Sequence, residues 1–170
     1  NARRNFSKAL LRIVPFNNFS GTYSGTALKV YLKGEESGAA IVKSEVDAYV
    51  VDENSIFLYA GTVDENKIDR KNYKIYVHFN EQTKEAMLTS DNPSMKFKVN
   101  QKIYFSVEDV KDAVQPYLVH RYVTINNIDY NFTDYTSAAN SSIDYTVRGS
   151  LIMERKINTQ IPDEDQAIQW

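Results

Sequence analysis

Residues 117–156 constrain the fold more than any other part of this chain. β-Branched and aromatic residues recur there at alternate positions, on both sides of a loop of small residues at 136–142. Successive side chains of a strand point to opposite faces, whereas a helix repeats about every 3.6 residues. The stretch therefore predicts two long strands that pair as a hairpin.

Shorter alternating segments precede this hairpin and are separated by turn-forming residues. They predict strands within residues 20–32, 39–51, 56–60, 73–79, 86–90, 95–99 and 103–105. A chain of hairpins with almost no helical pattern indicates an all-β fold. We expect an antiparallel up-and-down β-barrel of about eight strands, and the alternative is a two-sheet β-sandwich.

One short helix is expected after the last of these segments. Ser106 begins the sequence S-V-E-D, a capping box in which Asp109 reaches back to the first turn. Val107, Val110 and Val114 follow at helical spacing, and Pro116 would end the helix.

The ends of the chain differ from its centre. Residues 1–15 are interpreted as a linker or the end of a preceding domain, although residues 7–14 also alternate as a strand does. Residues 16–157 are predicted to form the barrel domain. Residues 158–170 are acidic and lack alternation, so we expect an exposed C-terminal tail.

Composition excludes several functions. The formal net charge is −2, so the chain lacks the basic excess that nucleic-acid binding requires. There are no cysteines, and no histidine spacing suits zinc, so no metal or cofactor is expected. Phosphate-binding glycine loops and a G-x-S-x-G nucleophile turn are also missing from the sequence. We therefore do not expect an enzyme.

Aromatic residues give the one candidate binding site. The chain has 12 Tyr and 8 Phe, several of them close to Asp, Asn and Arg in residues 122–148. Aromatic rings stack on the C–H faces of sugars, and polar neighbours bind the hydroxyls. The alternative is that these rings fill the barrel or cover its rim. The predicted ligand-binding residues are Tyr122, Tyr130, Asn131, Phe132, Asp134, Tyr135 and Arg148.

Four segments resemble a family of Bacteroidetes surface lipoproteins. The segments are N-F-T-D-Y-T at 131–136, Y-T-V-R-G-S-L-I-M-E-R-K at 145–156, I-P-D-E-D-Q-A-I-Q-W at 161–170 and L-R-I-V-P-F-N-N-F-S-G-T-Y-S at 11–24. The first three resemble the C-terminal domain of that family, and the fourth resembles the junction that leads into it. The resemblance implies a lipocalin-like or calycin-like barrel preceded by a small β-sandwich domain.

The same resemblance implies a role and a location. Many proteins of this kind belong to polysaccharide-utilisation systems, so the chain is expected to be a non-catalytic module that binds a glycan. Its expected place is the cell surface or the periplasm, held at the outer membrane by a lipid anchor upstream of this chain. Outer-membrane glycan-uptake proteins are the expected partners. Two alternatives stay open: a carrier of a small apolar ligand, and a structural or protein-interaction domain.

Overall fold

The computed structural model describes residues 17–61, 63 and 68–161. Within them, eleven strands form one antiparallel sheet. The strands are β1 (Gly21–Ser24), β2 (Leu28–Leu32), β3 (Ile41–Val42), β4 (Glu45–Asp52), β5 (Ser55–Tyr59), β6 (Lys74–Asn80), β7 (Glu85–Thr89), β8 (Lys98–Val99), β9 (Tyr104–Lys111), β10 (Leu118–Asp134) and β11 (Ile143–Asn158).

This sheet closes into a barrel. β1 and β2 both pair with β11 on one side. On their other side, β1 pairs with β4 and β2 pairs with β3, while β8 and β9 both pair with β10. Each of the couples β1/β2, β3/β4 and β8/β9 therefore acts as one interrupted strand of the barrel. Counted in this way, eight long strands follow each other around the barrel, and β11 returns to β1. The prediction of an antiparallel up-and-down barrel is confirmed, and the sandwich alternative does not form.

A bulge in β10 sets the direction of its side chains. Register with β11 shifts between Ile125 and Ile128, and Asn127 has a φ of 66°. One extra residue reverses which positions point inward. Ile125 faces the interior before the bulge, whereas Tyr130 faces it after the bulge.

Large side chains occupy the barrel interior. The buried ring of Phe19 stacks 4.0 Å from that of Phe79 and lies 5.5 Å from that of Phe105. Further fully buried side chains include Tyr23, Ile56, Ile75, Ile125, Phe132 and Leu151. The alternation of apolar residues in each strand supplies these inward positions and stabilises the closed sheet.

The predicted helix at Ser106 is wrong. Residues Tyr104–Lys111 form β9, which pairs with β10 from Val119↔Lys111 to Asn126↔Tyr104. Eight consecutive strand partners outweigh a local capping signal. The helices of the described residues are two short 3-10 turns, Arg70–Tyr73 and Pro93–Met95.

The predictions for the chain ends fall mostly outside the described residues. The strand expected at 7–14, the linker at 1–15 and most of the tail at 158–170 therefore stay predictions. Within the described part of the chain, no helix has the length and apolar character needed to span a membrane.

Candidate functional site

Two of the predicted site residues lie inside the barrel. Tyr130 and Phe132 are almost fully buried, and Phe132 stacks on Tyr145 with 5.2 Å between ring centroids. The Tyr130 hydroxyl accepts a hydrogen bond from the Gly61 backbone N–H at 3.1 Å. Burial raises the pKa of Tyr130. A ligand on the outer surface would not reach these two rings.

Asp134 and Tyr135 belong to a hydrogen-bond network at the end of β10. Asp134 is buried and accepts bonds from the Tyr73 hydroxyl at 3.0 Å and from the Ser137 hydroxyl at 2.6 Å. Burial alone would raise the pKa of Asp134, but bonds from Ser137, Thr136 and Tyr73 lower it overall. The Tyr135 hydroxyl accepts a bond from Asn92 Nδ2 at 2.8 Å. The network fixes the chain where β10 ends.

Asn131 and Arg148 lie on the outer face of the same hairpin. Asn131 donates to the Thr146 hydroxyl at 2.6 Å, and Arg148 Nε donates to Asp129 at 3.2 Å. Asn100 Nδ2 connects the Asn131 and Arg148 pairs, because it donates to Asp129 Oδ1 at 2.8 Å and to Asn131 Oδ1 at 2.8 Å. These polar groups therefore largely satisfy one another across β8, β10 and β11.

Tyr122 is separate from the other predicted residues. It lies on the outer face near the opposite end of β10, and its hydroxyl is 3.3 Å from Glu154. The bulge at Asn127 explains the separation, because Tyr122 points outward before it while Tyr130 and Phe132 point inward after it. The structure does not bring the predicted residues together on one surface, and their role in ligand binding stays a prediction.

A different set of rings does form one surface. Four half-buried aromatic side chains lie side by side on the outer faces of β4, β5 and β6, and we call them the aromatic platform: Tyr49, Phe57, Tyr59 and Tyr76. Tyr49 stacks on Phe57 at 5.0 Å, and Phe57 meets Tyr59 at 5.9 Å and Tyr76 at 6.3 Å. Aromatic rings on an outer wall present apolar area and hydroxyl groups together.

Cations lie against the aromatic platform. Lys74 Nζ is 4.4 Å from the centroid of Phe57, and the guanidinium carbon of Arg70 is 5.9 Å from the centroid of Tyr59. Arg70 Nε also donates to the Tyr59 hydroxyl at 3.2 Å. At the other side of the platform, the Tyr76 hydroxyl donates to Asp91 at 3.4 Å. Burial, followed by the nearby Asp91, raises the pKa of Tyr76.

An open groove adjoins the platform beyond Tyr76, where the barrel wall is weakly closed. β7 pairs with β9 only through Glu85↔Tyr104. On the side of β7 that faces β9, residues 87–89 therefore have no hydrogen-bonded partner strand among the described strands. This side groove has a volume of about 450 Å³ and is lined by Leu88, Thr89, Ser90, Asn92, Pro93, Lys96, Phe97 and Val99. Thr89 is the strand partner of Tyr76, which joins the groove to the platform.

Sequence reasoning missed the aromatic platform, although a signal for it exists. Each ring occupies the polar face of an alternating strand: Phe57 and Tyr59 alternate with Ile56 and Leu58, and Tyr76 lies between Ile75 and Val77. Aromatic residues on the wet face of three consecutive strands are the feature to look for. Their side-by-side placement follows only from the strand register.

The titratable residues of the described part do not form a metal centre. No group of three or more His, Asp or Glu side chains lies together there as metal ligands would. His78 Nδ1 is 2.9 Å from the Ser55 hydroxyl, and His120 is held by Asp112 and Glu154.

The strand order defines the class of protein: an antiparallel meander barrel of eight long strands with an aromatic outer wall. Residues 7–152 match a family model that is described as a C-terminal domain. The chain belongs to that family. A comparison with curated proteins gave no match.

Solved structures from Bacteroides share both fold and sequence with this chain. A multidomain protein including DUF1735 from Bacteroides ovatus is 42% identical over 90% of this chain, with a TM-score of 0.82. An auxiliary nutrient binding protein from Bacteroides thetaiotaomicron is 43% identical over 91%, with a TM-score of 0.82. A protein of unknown function from Bacteroides ovatus is 33% identical over 91%, with a TM-score of 0.81. The resemblance to a Bacteroidetes C-terminal domain is thereby confirmed.

These relatives are longer proteins. The chain covers 55% of the multidomain protein, 52% of the auxiliary nutrient binding protein and 53% of the third structure. The barrel therefore corresponds to about half of each solved relative.

Proposed function

We propose that this domain is a non-catalytic nutrient-binding module and that its ligand is a carbohydrate. The observation that carries the proposal is the aromatic platform, in which four rings share one outer surface. Sugar rings have flat C–H faces that pack on aromatic rings, and their hydroxyls need polar partners close by. A platform on an outer wall suits a polymer better than a small molecule, because a chain can pass along it without entering a cavity.

The side groove supplies polar groups beside the rings. Thr89 and Asn92 line it next to Tyr76, and Phe97 extends the apolar surface. Asn92 Nδ2 donates both its hydrogens, to the Tyr135 hydroxyl and the Asn72 carbonyl, and its Oδ1 accepts from the Ser94 N–H, so its position is fixed and one acceptor position on Oδ1 remains for a sugar hydroxyl. Fixed polar groups lose less conformational freedom on binding than mobile ones.

The comparisons support the nutrient-related part of this proposal. One relative of the same fold is described as an auxiliary nutrient binding protein. We extend that role to this chain as part of a polysaccharide-utilisation system at the cell surface or in the periplasm. In this proposal a lipid anchor upstream of the chain holds it at the outer membrane, and glycan-uptake proteins are its partners.

The barrel interior argues against the alternative of an apolar carrier. Phe19, Phe79 and Phe105 contact each other at one end, and Tyr130, Phe132 and Tyr145 pack in the other half. Side chains of this size occupy the volume that a lipocalin leaves for its ligand. The remaining alternative, a protein-interaction domain, is distinguished from glycan binding by the experiment below.

The test is binding of the purified protein to a panel of plant and host polysaccharides, measured by affinity electrophoresis and calorimetry. We expect at least one polysaccharide to bind. Replacing both Tyr49 and Tyr76 by Leu should weaken that binding about tenfold, because Leu keeps apolar cover but removes the flat ring. The exposed Tyr117, at the β9–β10 turn, provides the matched Tyr117→Leu control, which should bind as the wild type does.

Two results would contradict the proposal. One is a complete lack of binding across the panel by a protein whose circular dichroism shows a folded β-barrel. The other is binding that the Tyr49→Leu, Tyr76→Leu variant retains in full. The second result, combined with loss of binding in Tyr122→Leu or Arg148→Gln, would favour the residues predicted from sequence.

A further inference from the structure

We infer that the aromatic platform and side groove select an acidic glycan, one that carries carboxylate or sulfate groups. The inference rests on the proposed function and names the ligand class for the same surface. Its basis is the set of three cations arranged along that surface: Arg70 at Tyr59, Lys74 at Phe57, and Lys96 in the side groove.

Lys74 is the central cation of this set. It belongs to β6 and is the strand partner of Tyr59, so its side chain lies between two rings of the platform. Its ammonium group lies over Phe57, and within the described part of the chain it forms no ion pair. A cation over an exposed aromatic ring is weakly held and can move to a stronger partner.

A ligand that stacks on Phe57 has to displace this ammonium group. A neutral sugar would take the ring face and leave the cation without a compensating contact. An acidic sugar would take the ring face and give the cation an ion pair with hydrogen bonds, which are the stronger kind. The arrangement of ring and cation therefore favours a charged sugar over a neutral one of the same shape.

Lys96 extends the same preference into the side groove. It is exposed, has a φ of 50°, and forms no ion pair within the described residues. The Pro93–Met95 turn ends at Lys96, so the backbone of this lysine is fixed at the groove wall. A polymer that passes from Phe57 across Tyr76 would place successive acidic units near Lys74 and then Lys96.

Among the described residues near the platform, two acidic side chains accept hydrogen bonds from hydroxyl groups. Asp47 accepts a hydrogen bond from the Thr22 hydroxyl at 2.7 Å, and Asp91 accepts one from the Tyr76 hydroxyl at 3.4 Å. Asp69 lies at the start of the Arg70–Tyr73 turn. Asp91 meets the platform at the Tyr76 hydroxyl, whereas the ammonium group of Lys74 lies over the face of Phe57, so an anionic group stacked on Phe57 would lie next to positive charge.

The experiment compares matched acidic and neutral polymers against the same protein by calorimetry. Polygalacturonate is paired with its methyl ester, and carrageenan, whose only acidic groups are sulfates, with its desulfated form, so the two pairs separate carboxylate from sulfate recognition. We expect one acidic polymer to bind about tenfold more tightly than its neutral partner, with affinity falling as salt rises.

Charge variants then locate the effect. Lys74→Gln combined with Lys96→Gln should lose about tenfold affinity for the acidic polymer and almost none for a neutral one. The exposed Lys156 on β11 provides the control, and Lys156→Gln should leave both affinities unchanged.

Each outcome bears on one of the two proposals. Equal binding of acidic and neutral polymers, or an acidic preference that survives the double lysine variant, would overturn the inference and leave the glycan-binding proposal standing. Failure of every acidic and neutral polymer to bind would overturn both proposals. A preference lost equally in Lys156→Gln would show a general charge effect and would also overturn the inference.

Discussion

The contacts of Tyr73 show that part of the predicted aromatic cluster lies in a buried hydrogen-bond network. Tyr73 is a buried hub: its hydroxyl donates to Asp134 and accepts from the Tyr135 backbone N–H at 3.2 Å. Burial raises the pKa of Tyr73 to about 12, so the hydroxyl stays protonated and keeps its donor role. Tyr73 and Tyr135 therefore hold the end of β10 in place. This matches the alternative stated from the sequence, in which such rings fill the barrel or cover its rim.

The hydroxyl of Tyr73 offers a direct test of that structural role. Tyr73→Phe removes a buried hydroxyl and leaves Asp134 with one fewer donor, so we expect a loss of about 1–3 kcal/mol in the free energy of unfolding. Chemical denaturation measures this loss. The exposed Tyr117 provides the control, and Tyr117→Phe should change stability by less than about 0.5 kcal/mol. An unchanged midpoint for Tyr73→Phe would contradict the network.

His120 gives a prediction about pH. Its Nε2 lies 2.7 Å from Asp112 and its Nδ1 lies 2.7 Å from Glu154, and hydrogen bonds to these two carboxylates raise its pKa above the ordinary 6.5. The bond from His120 lowers the pKa of Asp112 from 3.8 to about 2. A histidine whose pKa is raised in the folded protein stabilises the fold at low pH, and this stabilisation is lost as the pH rises through the raised pKa. A lowered carboxyl pKa does the opposite.

His120 and Asp112 therefore both contribute their full stabilisation of the folded state between pH 3.8 and 6.5. We expect an NMR titration of the His120 ring to give a midpoint above 6.5, and Asp112→Asn to move that midpoint downward. A midpoint for His120 at or below 6.5 would contradict the paired geometry.

At the scale of elements, strand pairing decides what local sequence signals leave open. Alternation identified β10 and β11, which are seventeen and sixteen residues long, because it runs through β11 and along β10 on each side of the bulge. The capping signal at Ser106 was misleading, because β9 gains a full row of partners on β10. The bulge at Asn127 could not be read from the sequence, since its position depends on the pairing register of β10 with β11.

Gly149 of β11 lies opposite the end of this bulge and provides a test of the strand packing there. It pairs with Ile128 just beyond the bulge, and it has a φ of 133°. A Cβ at this position would lie 1.9 Å from the Ala27 carbonyl oxygen, so Gly149→Ala should cost about 3 kcal/mol or more of stability.

Gly34 is the matched control for Gly149. Its φ is 88°, but an added Cβ would meet nothing within 4 Å, so Gly34→Ala should cost only about 1 kcal/mol of backbone strain. Thermal or chemical unfolding of both variants measures the difference. Equal losses at the two positions would contradict the close approach of β11 to Ala27.

At the scale of the whole molecule, the barrel uses its two surfaces differently. The inward surface is filled by large side chains such as Phe19 and Phe79, while the outward surface of β4, β5 and β6 carries the aromatic platform. The overall barrel could be predicted from hairpin repetition. The side-by-side placement of the platform rings could not, because Tyr49, Phe57 and Tyr76 come from three strands and become neighbours only when the sheet register is known.

NMR mapping of a bound oligosaccharide on the isotopically labelled protein tests the central claim most directly. The oligosaccharide is cut from the polysaccharide that binds best. The account predicts that the largest shift changes fall on the platform strands, around Tyr49, Phe57 and Tyr76, and continue to the side groove at Thr89 and Asn92. Changes confined to residues 122–148 of the β10–β11 hairpin would contradict it.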